Sequence, residues 1–220
     1  MFHHHQIDAS YNALKVLEIS GLEKILQEDE YKGISVSMPY KRLVLPYLSH
    51  LTEKARKFES CNSILNVDGA LVGHNTDIFG IFKSLENLGS GDSVMLLGDG
   101  SIATQYSQVL SERRVTYDQA SRNRGNWDNR HFNKADILIN ATSIGTVNSD
   151  SPINSVANFK LVIDLSLNQG RLHSDCRENG IPYFSGMEFY KEVFRNQFEF
   201  YTGIHPDIKF YSKLEADLGT

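Results

Sequence analysis

The chain has 220 residues, 40% hydrophobic and 22% charged, an ordinary globular composition that allows one large domain or two small ones. Its net charge of -5 and pI of about 5.9 argue against nucleic-acid binding. The one basic cluster, Arg113-Arg114 with Arg122, Arg124 and Arg130, is too sparse for a duplex but adequate for one small phosphate. No apolar run nears the ~18 residues that span a membrane, and the opening Met1–Gln6 lacks the pattern of a signal peptide, so a cytoplasmic location is expected. Cys61 and Cys176 have no paired spacing and read as free thiols. His3, His4 and His5 read as a terminus or tag remnant, and no metal is expected.

In chain order, residues 12–19 partly alternate and predict a strand. Leu22, Ile25 and Leu26 share one face of a helix predicted over 21–29. Residues 33–38 predict a strand that stops at Pro39, and a helix follows over about 49–58. Residues 62–67 and 70–74 flank Asp68-Gly69, a hairpin signal, because these residues tolerate the positive φ of a tight turn. Residues 77–88 have helical periodicity, and Gly89-Ser90-Gly91-Asp92 punctuates the chain as a domain boundary. The apolar run 94–97 suits a buried parallel strand, and further strands are expected at 114–119, 136–140, 160–165 and 181–184. Ser185 and Glu188 have capping-box spacing and open a helix reaching about Tyr201. The expected class is α/β: a small α/β domain and a Rossmann-type, doubly wound parallel sheet.

Gly98-Asp99-Gly100-Ser101-Ile102-Ala103 follows that apolar strand and precedes a helix, the context that gives G-x-G-x-x-A meaning as a dinucleotide site. Gly98 permits the sharp turn, Gly100 lets a pyrophosphate approach the backbone, and Ala103 allows close packing. Ser101 and Ile102 open the helix, whose N–H groups face phosphates. Asp99 is an unhelpful charge beside an anion. Asp118 lies where an acid binding the NAD ribose is often found, but inside the predicted strand. Ser121-Arg122-Asn123-Arg124 lies just past it, and a guanidinium there suits a 2′-phosphate, which favours NADP.

Four segments in the same order resemble the shikimate dehydrogenase family over nearly the whole chain. Ser35–Lys41 (SVSMPYK) resembles its N-V-T-x-P-[FY/H]-K element, and Cys61-Asn62-Ser63 its A-V-N-T element. Gly73–Gly80 resembles G-x-N-T-D-x-x-G, and Ile139–Gly145 resembles I-N-A-T-x-x-G. The tail from Gly186 through Phe198 to Gly203 has the spacing of the last family segment. The resemblance implies a substrate domain of residues 1–89 plus 186–220 and a nucleotide domain of residues 90–185. It implies that Lys41 and Asp77 form the proton-handling pair, with Ser37, Asn62, Asn75 and Thr76 around the substrate. Asn140, Thr142 and Gly186 would line the nicotinamide side, and Arg122 falls on the arginine that holds the 2′-phosphate of NADP. The implied activity is interconversion of 3-dehydroshikimate and shikimate, in aromatic amino-acid and chorismate biosynthesis, or of a related cyclic hydroxy acid. The implied partner is a polyhydroxy cyclic carboxylate, bound by a monomer or homodimer.

The chain also departs from the family. The S-x-S-P element that binds the substrate carboxylate is not present, and Ser10 is a poor substitute. Val193 stands at the tail-helix glutamine and Leu167 at the tyrosine after the D-[IL]-[VI] strand. The stretch between Arg124 and Ala135 is short, so a helix beside the adenosine site is expected to be missing. These departures suit a changed substrate, and from another class they suit a non-catalytic NADP-binding paralogue or a fragment completed by a partner chain.

Overall fold

A computed structural model describes residues 2–28, 30–131, 134–145, 150–168 and 170–206. The chain packs as two compact units: residues 1–76 with 194–220, and residues 77–193. The glycine-rich turn 89–92 lies inside the second unit.

The first unit holds helix α1 (Ile19–Leu26), strand β1 (Gly33–Ser35), helix α2 (Tyr40–Leu43), strand β2 (His50–Leu51), helix α3 (Glu53–Lys57) and strands β3 (Ser63–Val67) and β4 (Ala70–His74). Its sheet has the order β1-β3-β4-β2. Strands β3 and β4 form the predicted hairpin, with Asp68 at φ 51 and Gly69 at φ 86, the paired positive angles of a two-residue turn. Asn66 Oδ1 accepts the Gly69 N–H at 2.8 Å and fixes that turn. Leu22 and Leu26 of α1 bury against Val36, Val44, Cys61, Ile64 and Leu71. Each such side chain contributes about 1.5–3 kcal/mol through burial.

Two expectations fail here. The strand expected over 12–19 does not form: residues 12–17 make no backbone–backbone hydrogen bond among the described residues, and Ile19 already opens α1. The Val16 carbonyl accepts the Tyr40 hydroxyl at 3.2 Å. A lone extended segment gains nothing from alternation without a neighbour to pair with. The helix over 49–58 is instead β2 followed by α3, because Thr52 caps α3 by accepting the Ala55 N–H and the residues before it pair in parallel with β4.

The second unit holds helix α4 (Asp77–Ser84), strand β5 (Ser93–Leu97), helix α5 (Ser101–Glu112), strands β6 (Thr116–Ala120), β7 (Ile137–Asn140) and β8 (Leu161–Asp164), helix α6 (Arg171–Glu178) and strand β9 (Tyr183–Ser185). The five strands are all parallel, in the order β6-β5-β7-β8-β9. Met95, Leu97, Leu138 and Val162 pack with Leu172 and Cys176 of α6. Burial pushes the Cys176 thiol up to about 12, which leaves it inert. The direction of chain progression reverses on either side of β5, so the switch point of the sheet lies at the carboxyl ends of β5 and β7, where such sheets bind ligands. Between β6 and β7 the described residues hold a short 3-10 turn, Trp127–His131, in the stretch where a helix is expected to be missing.

Helix α7 (Gly186–Thr202) belongs to both units, changing at residue 194. Its start is the predicted capping box: Ser185 N–H donates to Glu188 Oε2 at 2.8 Å and Glu188 N–H to Ser185 Oγ at 3.2 Å. Near its other end, the Tyr201 hydroxyl bonds Ser35 Oγ at 2.9 Å, and its ring lies where a Cβ on Gly33 would stand, 2.9 Å away.

Candidate functional site

The candidate residues fall in two groups, one in each unit. In the first unit, Met38–Pro39 is a cis peptide and Ser37 caps the turn after it, its carbonyl accepting the Tyr40 N–H at 3.0 Å. Ser37 itself is exposed. Lys41 sits half-buried in α2, and its carbonyl accepts the Cys61 N–H at 2.8 Å, which stitches α2 to the start of β3. Asn62, Asn75 and Thr76 are buried. Asn62 Oδ1 accepts the Thr76 N–H at 2.8 Å and the Ser63 hydroxyl at 3.0 Å, while its Nδ2 donates to Thr76 Oγ1 at 2.9 Å. Gln197 of α7 adds Nε2 bonds to Ser63 Oγ at 2.9 Å and to the Asn62 carbonyl at 3.3 Å. Asn62 is thus first a clamp on Thr76 and the loop that follows β4. Sequence reasoning missed Gln197, although it lies one helical turn beyond Val193, on the same helix face.

His74 ends β4, its Nδ1 2.7 Å from Thr52 Oγ1 and its ring centroid 4.8 Å from that of Phe200. Burial, helped by the charge of Lys54, lowers its pKa from 6.5 to about 4. The folded state therefore prefers the neutral ring. Its contribution is fully present above the unfolded value of ~6.5 and is lost as pH falls through about 4. That lowering sets a ceiling of roughly 3 kcal/mol, and discounting for partial exposure leaves about 1–2 kcal/mol. Urea unfolding between about pH 7 and pH 4 should show that loss, and His74→Gln should flatten that part of the curve. An unchanged pH dependence in the variant would assign acid lability to other groups.

In the second unit, Asp77 is buried as the first residue of α4, where a carboxylate complements the helix dipole. Burial and the charge of Asp77 raise the pKa of Tyr190. At the switch point, Gly98 has φ +107, and a Cβ there would stand 2.9 Å from the Ala141 carbonyl oxygen, so no side chain fits. Its N–H donates to the Ala120 carbonyl at 2.9 Å and its carbonyl accepts Gln119 Nε2 at 2.7 Å. Gly100 caps α5 with no side-chain hydrogen bond, so no side chain of its own occupies the N–H groups of Ser101 and Ile102. Ala103 is fully buried under the turn. This cradle fits a pyrophosphate, with Asp99 only partly buried.

Ser121 is buried just past β6, its Oγ accepting the Arg124 N–H at 3.2 Å, while Arg122 is exposed. Asp118 lies inside β6, opposite Met95, rather than at the strand end. Asn140 organises the opposite wall. Its Oδ1 accepts the Thr142 hydroxyl at 2.7 Å, and its Nδ2 donates to Asp164 Oδ1 at 2.9 Å and to the Ile144 carbonyl at 3.2 Å. Tyr183 donates its hydroxyl to Asp164 Oδ2 at 2.9 Å. Burial raises the Asp164 pKa, and its hydrogen bonds from Ser166, Tyr183 and Asn140 oppose that rise. Gly186 crosses against the end of β8, where a Cβ would run into the Ser166 carbonyl oxygen and stand 2.6 Å from the Leu165 carbonyl oxygen. Sequence reasoning named Asn140, Thr142 and Gly186 but not the Asp164–Tyr183 support behind Asn140. Among the described residues no cluster of His, Cys, Asp and Glu is arranged to hold a metal.

A family model described as the shikimate dehydrogenase substrate binding domain matches residues 1–64. A shikimate dehydrogenase (NADP(+)) of Pyrococcus abyssi is 28% identical over 237 residues, covering 99% of this chain and 90% of that protein. The corresponding protein of a Staphylococcus epidermidis strain is 26% identical over 228 residues, covering 92% and 85%. Over nearly its whole length the chain is similar to these shikimate dehydrogenases. A shikimate 5-dehydrogenase from Thermus thermophilus, solved in complex with NADP(H) and shikimate, superposes on it with a TM-score of 0.81 at 20% identity, covering 96% of this chain and 89% of that one. The matched family model of the shikimate dehydrogenase substrate binding domain takes in α2 with Lys41 and the start of β3 with Asn62.

Proposed function

We propose that this chain is an NADP-dependent oxidoreductase that interconverts 3-dehydroshikimate and shikimate, or a closely related cyclic hydroxy acid. The observation that carries the reading is the glycine turn at the switch point of a parallel sheet, followed by Arg122 just past β6, in a chain aligned nearly end to end with NADP(+)-dependent shikimate dehydrogenases. The reading places it in aromatic amino-acid and chorismate biosynthesis, as a cytoplasmic monomer or homodimer. Residues 1–89 with 186–220 serve the substrate, and residues 90–185 serve the cofactor.

Bound nicotinamide supplies or accepts the hydride. The chain handles everything else. Lys41 stabilises the alkoxide oxygen and passes its proton, and Asp77 holds a substrate hydroxyl. Ser37, Asn62, Asn75 and Thr76 hold the remaining ring hydroxyls. The backbone of Gly98, Gly100, Ser101, Ile102 and Ala103 cradles the pyrophosphate. Ser121 and Arg122 take the 2′-phosphate, and Asn140, Thr142 and Gly186 border the nicotinamide. Val193 and Leu167, apolar where the family has a glutamine and a tyrosine, support a relaxed or altered ring specificity. Each lost hydrogen bond to a charged group costs about 1.5–3 kcal/mol, about tenfold or more in affinity.

The cofactor assignment has its own test. Arg122→Ala should weaken NADPH binding by about 10–100-fold and leave NADH within about twofold, measured by nicotinamide fluorescence. A variant that keeps the NADPH preference would move 2′-phosphate recognition away from Arg122.

A further inference from the structure

The loop that carries Arg122 is a built turn. Asn126 spans it, its Oδ1 accepting the Ser121 N–H at 3.1 Å and its Nδ2 donating to the Gln119 carbonyl at 2.9 Å. Gly125, at φ 69, closes the turn by donating to the Arg122 carbonyl at 3.0 Å. Gln119 therefore serves both halves of the nucleotide site, since its side chain also holds the Gly98 carbonyl at 2.7 Å. The next residue, Trp127, is the only tryptophan of the chain.

Two guanidinium groups lie over its indole, Arg130 at 4.3 Å from the ring centroid and Arg122 at 6.0 Å. Their surroundings differ. Arg130 is tied down, with Nε donating to the Pro152 carbonyl at 2.7 Å and Nη1 to the Trp127 carbonyl at 2.8 Å, and with Asp128 3.2 Å away. Its side chain is 16% exposed, so Arg130 and Trp127 form one fixed layer. Arg122 is exposed, and its guanidinium makes no hydrogen bond or ion pair among the described residues. An exposed cation against an indole, with no acid among the described residues paired to it, is placed to receive an anion.

We infer that Trp127 is a positioning residue for cofactor selectivity: its indole is the shelf that holds the Arg122 guanidinium at the end of β6 for a 2′-phosphate monoester. The inference rests on the NADP reading above. The shelf stands in the short segment between β6 and β7, where Trp127–His131 is a 3-10 turn, and it fixes a flexible side chain before the ligand arrives.

The test uses the full chain and titrates NADPH and NADH by nicotinamide fluorescence against wild type, Trp127→Ala, Trp127→Phe and Arg122→Ala. Trp127→Ala should weaken NADPH about five- to tenfold while NADH stays within about twofold, and Trp127→Phe should recover most of the loss because it keeps an aromatic face. Equal weakening of both cofactors, no weakening of either, or a Phe variant as poor as Ala would overturn the inference. If Arg122→Ala abolishes the NADPH preference and Trp127→Ala does not, the shelf falls and the cofactor reading stands. A wild type with no preference for NADPH overturns both. Should Trp127→Ala fail to fold, wild type decides the matter. Emission from this sole tryptophan should change on adding adenosine 2′,5′-bisphosphate and not on adding 5′-AMP at the same concentration; an equal response to both, or none to either, would overturn the inference.

Discussion

Replacing Lys41 with methionine should lower turnover of shikimate by about two to four orders of magnitude and leave NADPH affinity within about twofold. Methionine keeps the apolar stem of the side chain and removes the ammonium that stabilises an alkoxide and moves its proton. The backbone contribution of Lys41, its carbonyl bond from Cys61 at 2.8 Å, survives the substitution, so the start of β3 stays in place. The split between turnover and cofactor affinity is the decisive readout. Parallel losses of both would mean that Lys41 supports the structure of α2 and not the chemistry.

The second large effect is on stability. Gly186→Ala should cost about 2–4 kcal/mol, roughly 5–15 °C in melting temperature for a chain of this size. The new Cβ would meet two backbone carbonyls at the end of β8, those of Ser166 and Leu165, and backbone cannot rotate aside as a side chain can. The start of α7 would have to lift off that strand end, so nucleotide binding should weaken too. Ser185→Ala gives the scale: it removes only the capping-box hydroxyl at 3.2 Å from the Glu188 N–H and should cost about 1 kcal/mol. Thermal unfolding of both variants checks the order. A Gly186→Ala variant no less stable than Ser185→Ala would show that this close approach is relieved at little cost.

The parallel sheet was legible because its signals are local. The run Val94–Leu97 is apolar throughout and Gly98-Asp99-Gly100 follows it at once, so one short stretch names a buried strand, a turn and a helix start. The hairpin was equally plain, since Asp68-Gly69 can hardly serve any other turn. Residues 12–19 were misleading because alternation reports which residues suit a strand, not whether a neighbour exists. Helix α3 was blurred with β2 for a related reason: Thr52 caps the helix, but the pairing of His50 and Leu51 with β4 is a tertiary fact.

At the candidate site, the residues of the family motifs could be named, and their supports could not. Asn140 is visible in its motif, whereas Asp164 and Tyr183, 24 and 19 residues further along each link, carry no local pattern that ties them to it. Gln197 is similar, reaching Ser63 across 134 residues of sequence. Trp127 was passed over because a single aromatic in a short loop is ordinary until two guanidiniums are found against it.

The measurement that bears most directly on the central claim is the growth of reduced-nicotinamide absorbance when the purified chain is mixed with NADP and shikimate, with quinate and NAD in parallel. A clear rate is expected with shikimate and NADP, and a much lower one when NAD replaces NADP. No rate with any of these pairs, from protein that still binds NADPH, would contradict it and leave a nucleotide-binding protein without the proposed dehydrogenase activity.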